Sequence, residues 1–299
     1  MRYIVGYTAN EQGRDALNLG SVLARTQHAA LDLVLVEPEQ SPYSAVYPPE
    51  SGFSDLLEEQ LEQWRSEALE LVPADVPARA WVRRAESDAQ GLIDAAADLD
   101  AGLIVVGAAS NGLFQRFTVG SVANALLHAS PVPVALAPRG YSRTVPLTRI
   151  TCGIGTRPGA QDVLEAAVEA AASSALPLRL VSLVALDAAD KHKDDPLQEA
   201  DLHAKEAKAR AEELADGRCP VTAVVAHGRT IENAIDDLDF DKGEIMLIGS
   251  SRLAQNRRLF LGTTASKVLR SLPVPMVVIP RNDRGNAAGG PQQTKEVTG

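Results

Sequence analysis

Hydrophobic and polar positions along the first half of the chain alternate between two periods. Short apolar runs at Tyr3–Gly6, Leu31–Val36, Ala80–Val82, Leu103–Val106 and Val132–Ala137 read as buried strands. Between them the apolar residues fall at helical spacing. Ala16, Leu19 and Leu23 share one face, and Leu57, Leu61, Trp64, Ala68 and Leu71 mark an amphipathic helix. Ser87 with Gln90 has the spacing of a capping box. Gly120-Ser121 opens a further helix with Val122, Leu126 and Ala129 inward. Pro38–Ser54, rich in Pro, Ser and Tyr, has no periodicity and reads as a long loop.

The second half repeats this order. Strands are predicted at Ile150–Ile154, Leu180–Val184, Val221–Val225, Ile245–Ile248 and Val274–Ile279. One helix face carries Leu164, Ala167, Val168 and Ala171; another carries Ala200, Ala204, Ala207, Ala211 and Leu214. The repetition is visible in the letters themselves: PVPVALAPR at 131–139 returns as PVPMVVIPR at 273–281, an offset of 142 (273 − 131). The same offset relates Gly107 to Gly249 and Gly120 to Gly262. A unit this long is a domain copied once. The expected domains are 1–140 and 148–281, joined by a linker at 140–149. The polar segment 282–299 has no core-forming residues and reads as a disordered tail. Strands alternating with helices predict an α/β fold, two tandem doubly wound domains, each with a five-stranded parallel sheet. Ligands of such sheets bind at the carboxyl ends of the strands, where the strand order reverses.

Composition agrees with this picture. Of the 299 residues 45% are hydrophobic but only 4% aromatic, so Ala, Val and Leu must fill the core. A formal charge of −10 argues against a nucleic-acid partner. Cys152 and Cys219 are the two cysteines, and neither sits in a CxxC. The first residues lack the apolar stretch of a signal peptide, and no run nears the length of about 18 apolar residues needed to span a membrane. A cytoplasmic protein without a membrane partner is expected.

Candidate chemistry concentrates after the fourth strand of each copy. The first reads GAASNGLFQRFTVGSV (107–122) and the second GSSRLAQNRRLFLGTT (249–264). Each has a Gly ending a strand and a Gly-Ser or Gly-Thr opening a helix. The unpaired N–H groups and partial positive charge of a helix N-terminus suit a phosphate, and Gly lets the backbone approach it.

This arrangement resembles the ATP-binding signature of the universal stress protein family, G-x2-G-x9-G-[ST]. The resemblance covers both halves and includes the closing PVPVALAP or PVPMVVIP strand. It implies Rossmann-like, adenine nucleotide alpha hydrolase-like domains and pairing through the last strand. Strands 132–137 and 274–279 would then join into a pseudo-dimer within one chain, and a homodimer of chains is a further expectation. It also implies nucleotide contacts at Tyr7, Thr8, Val36, Gly107, Ser110, Gly120, Ser121 and Val122. In the second copy the contacts fall at Gly155, Gly249, Arg252, Gly262, Thr263 and Thr264. The signature's middle Gly is Ser110 in one copy and Arg252 in the other, and the family's Asp near the end of strand one is replaced by Thr8 and Gly155. ATP or AMP is therefore expected in the first domain, which keeps the Gly-Ser, ahead of the second. The alternative is a protein of the same fold that binds no nucleotide and acts through interaction or dimerisation.

Other signals are weaker. Arg252, Arg257 and Arg258 could recognise an anion or form a solvated loop; the first loop has Arg116 alone. GIGTRPG (153–159), followed by Asp187, has the look of a dinucleotide turn, but YTANEQG at the matching place breaks the pattern, so it reads as a generic strand–helix turn. His28, His128, His192, His203 and His227 have no metal-ligand spacing. There is no GxSxG nucleophile elbow, and no acidic pair beside Gly107–Ser121, so no enzyme is expected. Tyr43 and Tyr47 could lid a cleft or simply pack in their loop, and KHKDD (191–195) reads as a solvated turn.

Overall fold

The computed structural model describes residues 1–39, 51–108, 120–156, 159–188, 195–250, 259 and 261–280, with 38, 51–57 and 188 described by backbone alone. The first half runs β1 (Arg2–Gly6), α1 (Glu11–Gln27), β2 (Ala30–Pro38), α2 (Ser51–Glu70), β3 (Ala78–Ala85), α3 (Asp88–Asp98), β4 (Leu103–Gly107), α4 (Ser121–Ala129) and β5 (Val134–Ala137). The second runs β6 (Arg149–Ile154), α5 (Ala160–Ser173), β7 (Leu178–Ala185), α6 (Pro196–Ala215), β8 (Val221–Gly228), α7 (Ile231–Asp236), β9 (Glu244–Gly249), α8 (Thr263–Ser271) and β10 (Met276–Ile279).

All ten strands form one sheet in the order β3-β2-β1-β4-β5-β10-β9-β6-β7-β8. Pairing within each half is parallel. At the seam β5 and β10 lie antiparallel, with Met276 opposite Leu136 and Val278 opposite Val134. One apolar layer, under α1, α2, α5 and α6, and a second, under α3, α4, α7 and α8, cover the two faces. Each layer runs across the seam without interruption.

Polar contacts fasten the halves on the α1 side. The Gln27 amide donates to the Ala170 carbonyl and the Ser174 hydroxyl, both at 2.8 Å, and the Ser174 hydroxyl donates to the Thr26 carbonyl. The linker is packed: Tyr141 and Leu147 are buried. Asn18 donates to the Tyr141 carbonyl at 2.9 Å, the Leu147 amide donates to the Thr26 hydroxyl, and the Gly140 amide donates to Asp15 at 2.9 Å. Burial pushes the Asp15 carboxyl up, and the Gly140 amide opposes that rise.

Several elements differ from the sequence expectation for definable reasons. Ser51–Ser54 begins α2 instead of ending the loop. On α4 the buried residues are Ala123, Leu126 and Leu127, and Ala129 faces solvent. On α6 the buried stripe is Ala204, Ala207, Ala211 and Ala215. Helix α7 was not expected, because six residues hold too little periodicity to register. Ser87 accepts from the Gln90 amide and caps α3, but the Gln90 side chain turns to Asp94, so the box is half made.

Each half buries one acid at the amino end of its sheet. In the first, Asp32 accepts from Arg2 Nε at 2.7 Å and Trp81 Nε1 at 2.8 Å. In the second, Arg179 stands at the position of Asp32, and Glu244 on β9 supplies the acid. Arg149 Nη2 and Arg179 Nη2 each donate to Glu244 at 2.6 Å, and the Thr151 hydroxyl and Asp241 amide donate to it as well. The Arg179 guanidinium lies 5.0 Å from the centre of the Phe240 ring. Burial pulls the Arg179 pKa down, and Glu244 works against that fall. Removing one member of a buried ion pair leaves an uncompensated charge and costs about 3–5 kcal/mol. Glu244→Ala is therefore expected to destabilise the chain by about that amount in urea unfolding, and much more than Glu213→Ala on the exposed face of α6.

Candidate functional site

In both halves strand order reverses between two neighbouring strands, β1 and β4 in the first and β6 and β9 in the second. The carboxyl ends of these pairs open a crevice. Gly6 and Gly107 end the first pair, and Gly153 and Gly249 lie at the corresponding positions of the second.

The helices that follow supply the same amino-terminal geometry to both clefts. Gly120 precedes α4 at φ −69° and ψ 169°, and Gly262 precedes α8 at −72° and 168°. Glycine brings no side-chain cap to either helix, and the first-turn amides have no intrahelical acceptor.

The cavities are unequal. The second cleft encloses about 340 Å³, walled by Gly153, Gly155, Val181, Leu183, Ile248 and Thr264 among others. The first holds about 80 Å³; both volumes are those bounded by the described residues. Ligand pockets typically hold roughly 300–1,000 Å³, so the second falls in that range and the first well below it. This is opposite to the order expected from the retained Gly-Ser of the first copy.

The cause is where the first helix of each half begins. Gly6 matches Gly153, an offset of 147, which would start α5 at residue 158 if it copied α1 from Glu11. It starts at Ala160, two residues later. In the first half Asn10 caps α1 early, accepting from the Gly13 amide at 3.0 Å and from the Thr8 hydroxyl at 2.8 Å. The opening turn of α1 then lies directly on the sheet. A Cβ on Gly107 would stand 2.3 Å from the Gln12 carbonyl oxygen, and one on Gly13 would stand 1.9 Å from that of Thr8. In the second half a Cβ on Gly249, the match of Gly107, would meet the Val163 side chain at 2.7 Å and no backbone, and one on Gly155, the match of Thr8, would meet nothing within 4 Å.

Charge separates the clefts too. Asp88, in the first turn of α3, lines the first cleft; the matching residue after the N-cap of α7, Ile231, lines the second. Among the described lining residues the second cleft has no charged side chain: Thr156, Ser250 and Thr264 supply hydroxyls over an otherwise apolar wall.

Tyr7, Thr8, Val36, Gly107 and Val122 line the first cleft, as expected residues brought together. Burial pushes the Tyr7 phenol up, and the Thr8 hydroxyl is engaged with Asn10. Gly120 and Ser121 sit at the head of α4 outside that lining. Gly155, Gly249, Gly262 and Thr264 line the second cleft, and Thr263 does not. Ser110, Arg252, Arg116, Arg257, Arg258, Tyr43, Tyr47 and the 282–299 segment lie outside the described residues. The GIGTRPG turn does connect β6 to α5, and it also walls the cleft through Gly153, Gly155 and Gly159. Gln12, Asp88, Leu92, Val163, Leu183 and Ile231 line the clefts without having been expected. The contrast of YTANEQG with GIGTRPG was the available signal for the wider second cleft. Of the histidines, His28 closes α1 in the left-handed region at φ 52° and His227 lies within β8. No cluster of metal-ligating side chains occurs among the described residues. No described helix is long and apolar enough to cross a membrane.

Comparison with known proteins places the chain. The universal stress protein family model matches residues 1–138 and again 146–280. Universal stress proteins of Mycobacterium tuberculosis (strain H37Rv) and Mycobacterium bovis are 29% identical to it over 298 residues, covering 94% of this chain and all of theirs. A solved universal stress protein from Archaeoglobus fulgidus superposes with a TM-score of 0.66 at 18% identity, over 94% of this chain and 98% of that one. A putative universal stress protein from Pseudomonas aeruginosa superposes at 0.58, also 18% identical, over 94% of each chain. The chain belongs to the universal stress protein family, with two such domains in tandem.

The steric difference between the clefts sets a stability contrast. Gly13→Ala forces a Cβ against backbone and is expected to cost at least about 1–3 kcal/mol. Gly155→Ala, with open space beside it, should change stability by less than about 0.5 kcal/mol. Chemical denaturation of both variants checks this, and equal effects would contradict the packing described.

Proposed function

We propose that this chain is a stress-response regulatory protein that binds an adenine nucleotide, ATP or AMP, in the cleft of its second domain, while the first domain serves as scaffold. The observation that carries this reading is the roughly 340 Å³ cavity that reaches Gly262 and Thr264 at the head of α8. A phosphate there would meet backbone amides and the favourable end of the helix dipole. The apolar wall of Val181, Leu183 and Ile231 suits a planar base. In the first cleft the Asp88 carboxylate and the Gln12 backbone oppose the same ligand.

The reading is of binding without turnover, with the hydroxyls of Thr156, Ser250 and Thr264 as polar contacts. The β5–β10 pairing supports a pseudo-dimer inside one chain, in which the two domains take the places of two subunits. A homodimer of such chains would have to form through another surface, since these two edges are already used.

Gly155→Leu supplies a test variant, because Gly155 lines the cleft and a Cβ there meets nothing within 4 Å, so a larger side chain at the rim needs no backbone shift. Titration calorimetry with ATP and AMP is expected to show one site per chain in the wild type and at least a tenfold loss of affinity in Gly155→Leu, with an unchanged melting temperature. Absence of binding at millimolar nucleotide, or full affinity in Gly155→Leu, would sink the proposal. The first of these outcomes would favour the alternative, a tandem scaffold that acts through its interfaces.

A further inference from the structure

Four residues before α8 the second domain reaches into the first. The Leu259 amide donates to the Ser130 carbonyl at 3.0 Å, and the Leu261 amide donates to the Leu127 carbonyl at 3.1 Å. These acceptors sit at the end of α4, where the last helical carbonyls have no intrahelical partner. Leu259 is fully buried, in the apolar layer that holds Leu126, Leu127, Val134 and Leu136 of the first domain and Met276 of the second. The next glycine is Gly262, which starts α8 and lines the second cleft. The first hydrogen bond of α8, from the Ser266 amide to the Gly262 carbonyl at 2.9 Å, follows at once.

The position of Gly262 is thus set from two sides. Its own helix fixes it from within the second domain. The C-terminal turn of α4 fixes the approach to it from the first, by two backbone bonds and one buried side chain. A chain segment tethered this way loses its freedom before a ligand arrives, so less ordering cost remains at binding. The same α4 begins beside the first cleft, where Val122 lines it.

We propose that the second cleft is completed by the first domain, with Leu259 as the positioning residue that holds the Gly262 turn against the end of α4. This rests on the reading of that cleft as the nucleotide site. It gives a reason for the two domains to travel in one chain: the domain with the narrower described cleft supplies the abutment for the wider one.

The test uses the full chain and two readouts, ATP affinity by calorimetry and amide hydrogen exchange at Ser266 without ligand. Leu259→Ala is expected to raise the ATP dissociation constant about tenfold and to speed Ser266 exchange about tenfold. Exchange at Leu272, which donates to Val268 at the other end of α8, should stay as in the wild type. Leu259→Met, which keeps the side-chain volume, should restore both values, and Leu259→Val gives a milder truncation if the alanine variant does not fold. Unchanged Ser266 exchange in the truncated variants overturns the positioning role, as does an unchanged dissociation constant, or a loss in Leu259→Met as large as in Leu259→Ala. If the wild type binds no ATP, the reading of the cleft fails and with it the ligand half of the proposal. Ser266 exchange in the ligand-free chain still decides whether α4 holds the turn.

Discussion

Two strands of four residues, β5 and β10, join the halves of this protein, and every residue in them is buried. Left alone, each would be an apolar sheet edge with unpaired backbone groups, the kind of edge that recruits another chain. Paired antiparallel, they convert two five-stranded sheets into one of ten. Both core layers then run unbroken across the seam. The remaining junctions depend on this register. The α1–α5 contacts through Gln27 and Ser174, the packed linker, and the reach of Leu259 to α4 all require the halves to meet at one fixed geometry.

On this shared frame the two clefts have diverged through small local changes. A helix that starts two residues later, a Gly155 where the first copy has Thr8, and an Ile231 where it has Asp88 go with a wider second site and a narrower first one. None of these alters the sheet. Duplication has kept the strands and the helix-opening glycines while the turns that decide cavity volume changed freely, as loop segments do.

The strands and the glycine-headed helices were legible because burial leaves a plain mark: continuous apolar runs bounded by Gly or Pro. Pro133 and Pro275 even locate the start of the fifth strands, where a missing N–H does no harm and the carbonyls still accept from Ile104 and Met246. What was not legible depends on atoms the letters do not encode. The Gln12 oxygen over Gly107 is a backbone contact, set by where Asn10 caps α1. The Arg149–Glu244–Arg179 group joins three strands and has exchanged its acid between positions relative to Asp32 in the first half, so comparing the copies residue by residue conceals it. Helix α7 was too short to show a period, and without it the Asp88–Ile231 difference could not be aligned. Reading the retained Gly-Ser as the better site therefore ranked the clefts by signature, whereas the space in them follows the preceding turn.

The central claim is that the second cleft of this universal stress protein, and not the first, accepts nucleotide. A crystal structure of the full chain grown with ATP tests it most directly. The account predicts density for the phosphates at Gly262–Thr264 and for the base against Val181, Leu183 and Ile231, with the first cleft empty of nucleotide. Nucleotide beside Gly107 and Val122, or in neither cleft, would contradict it.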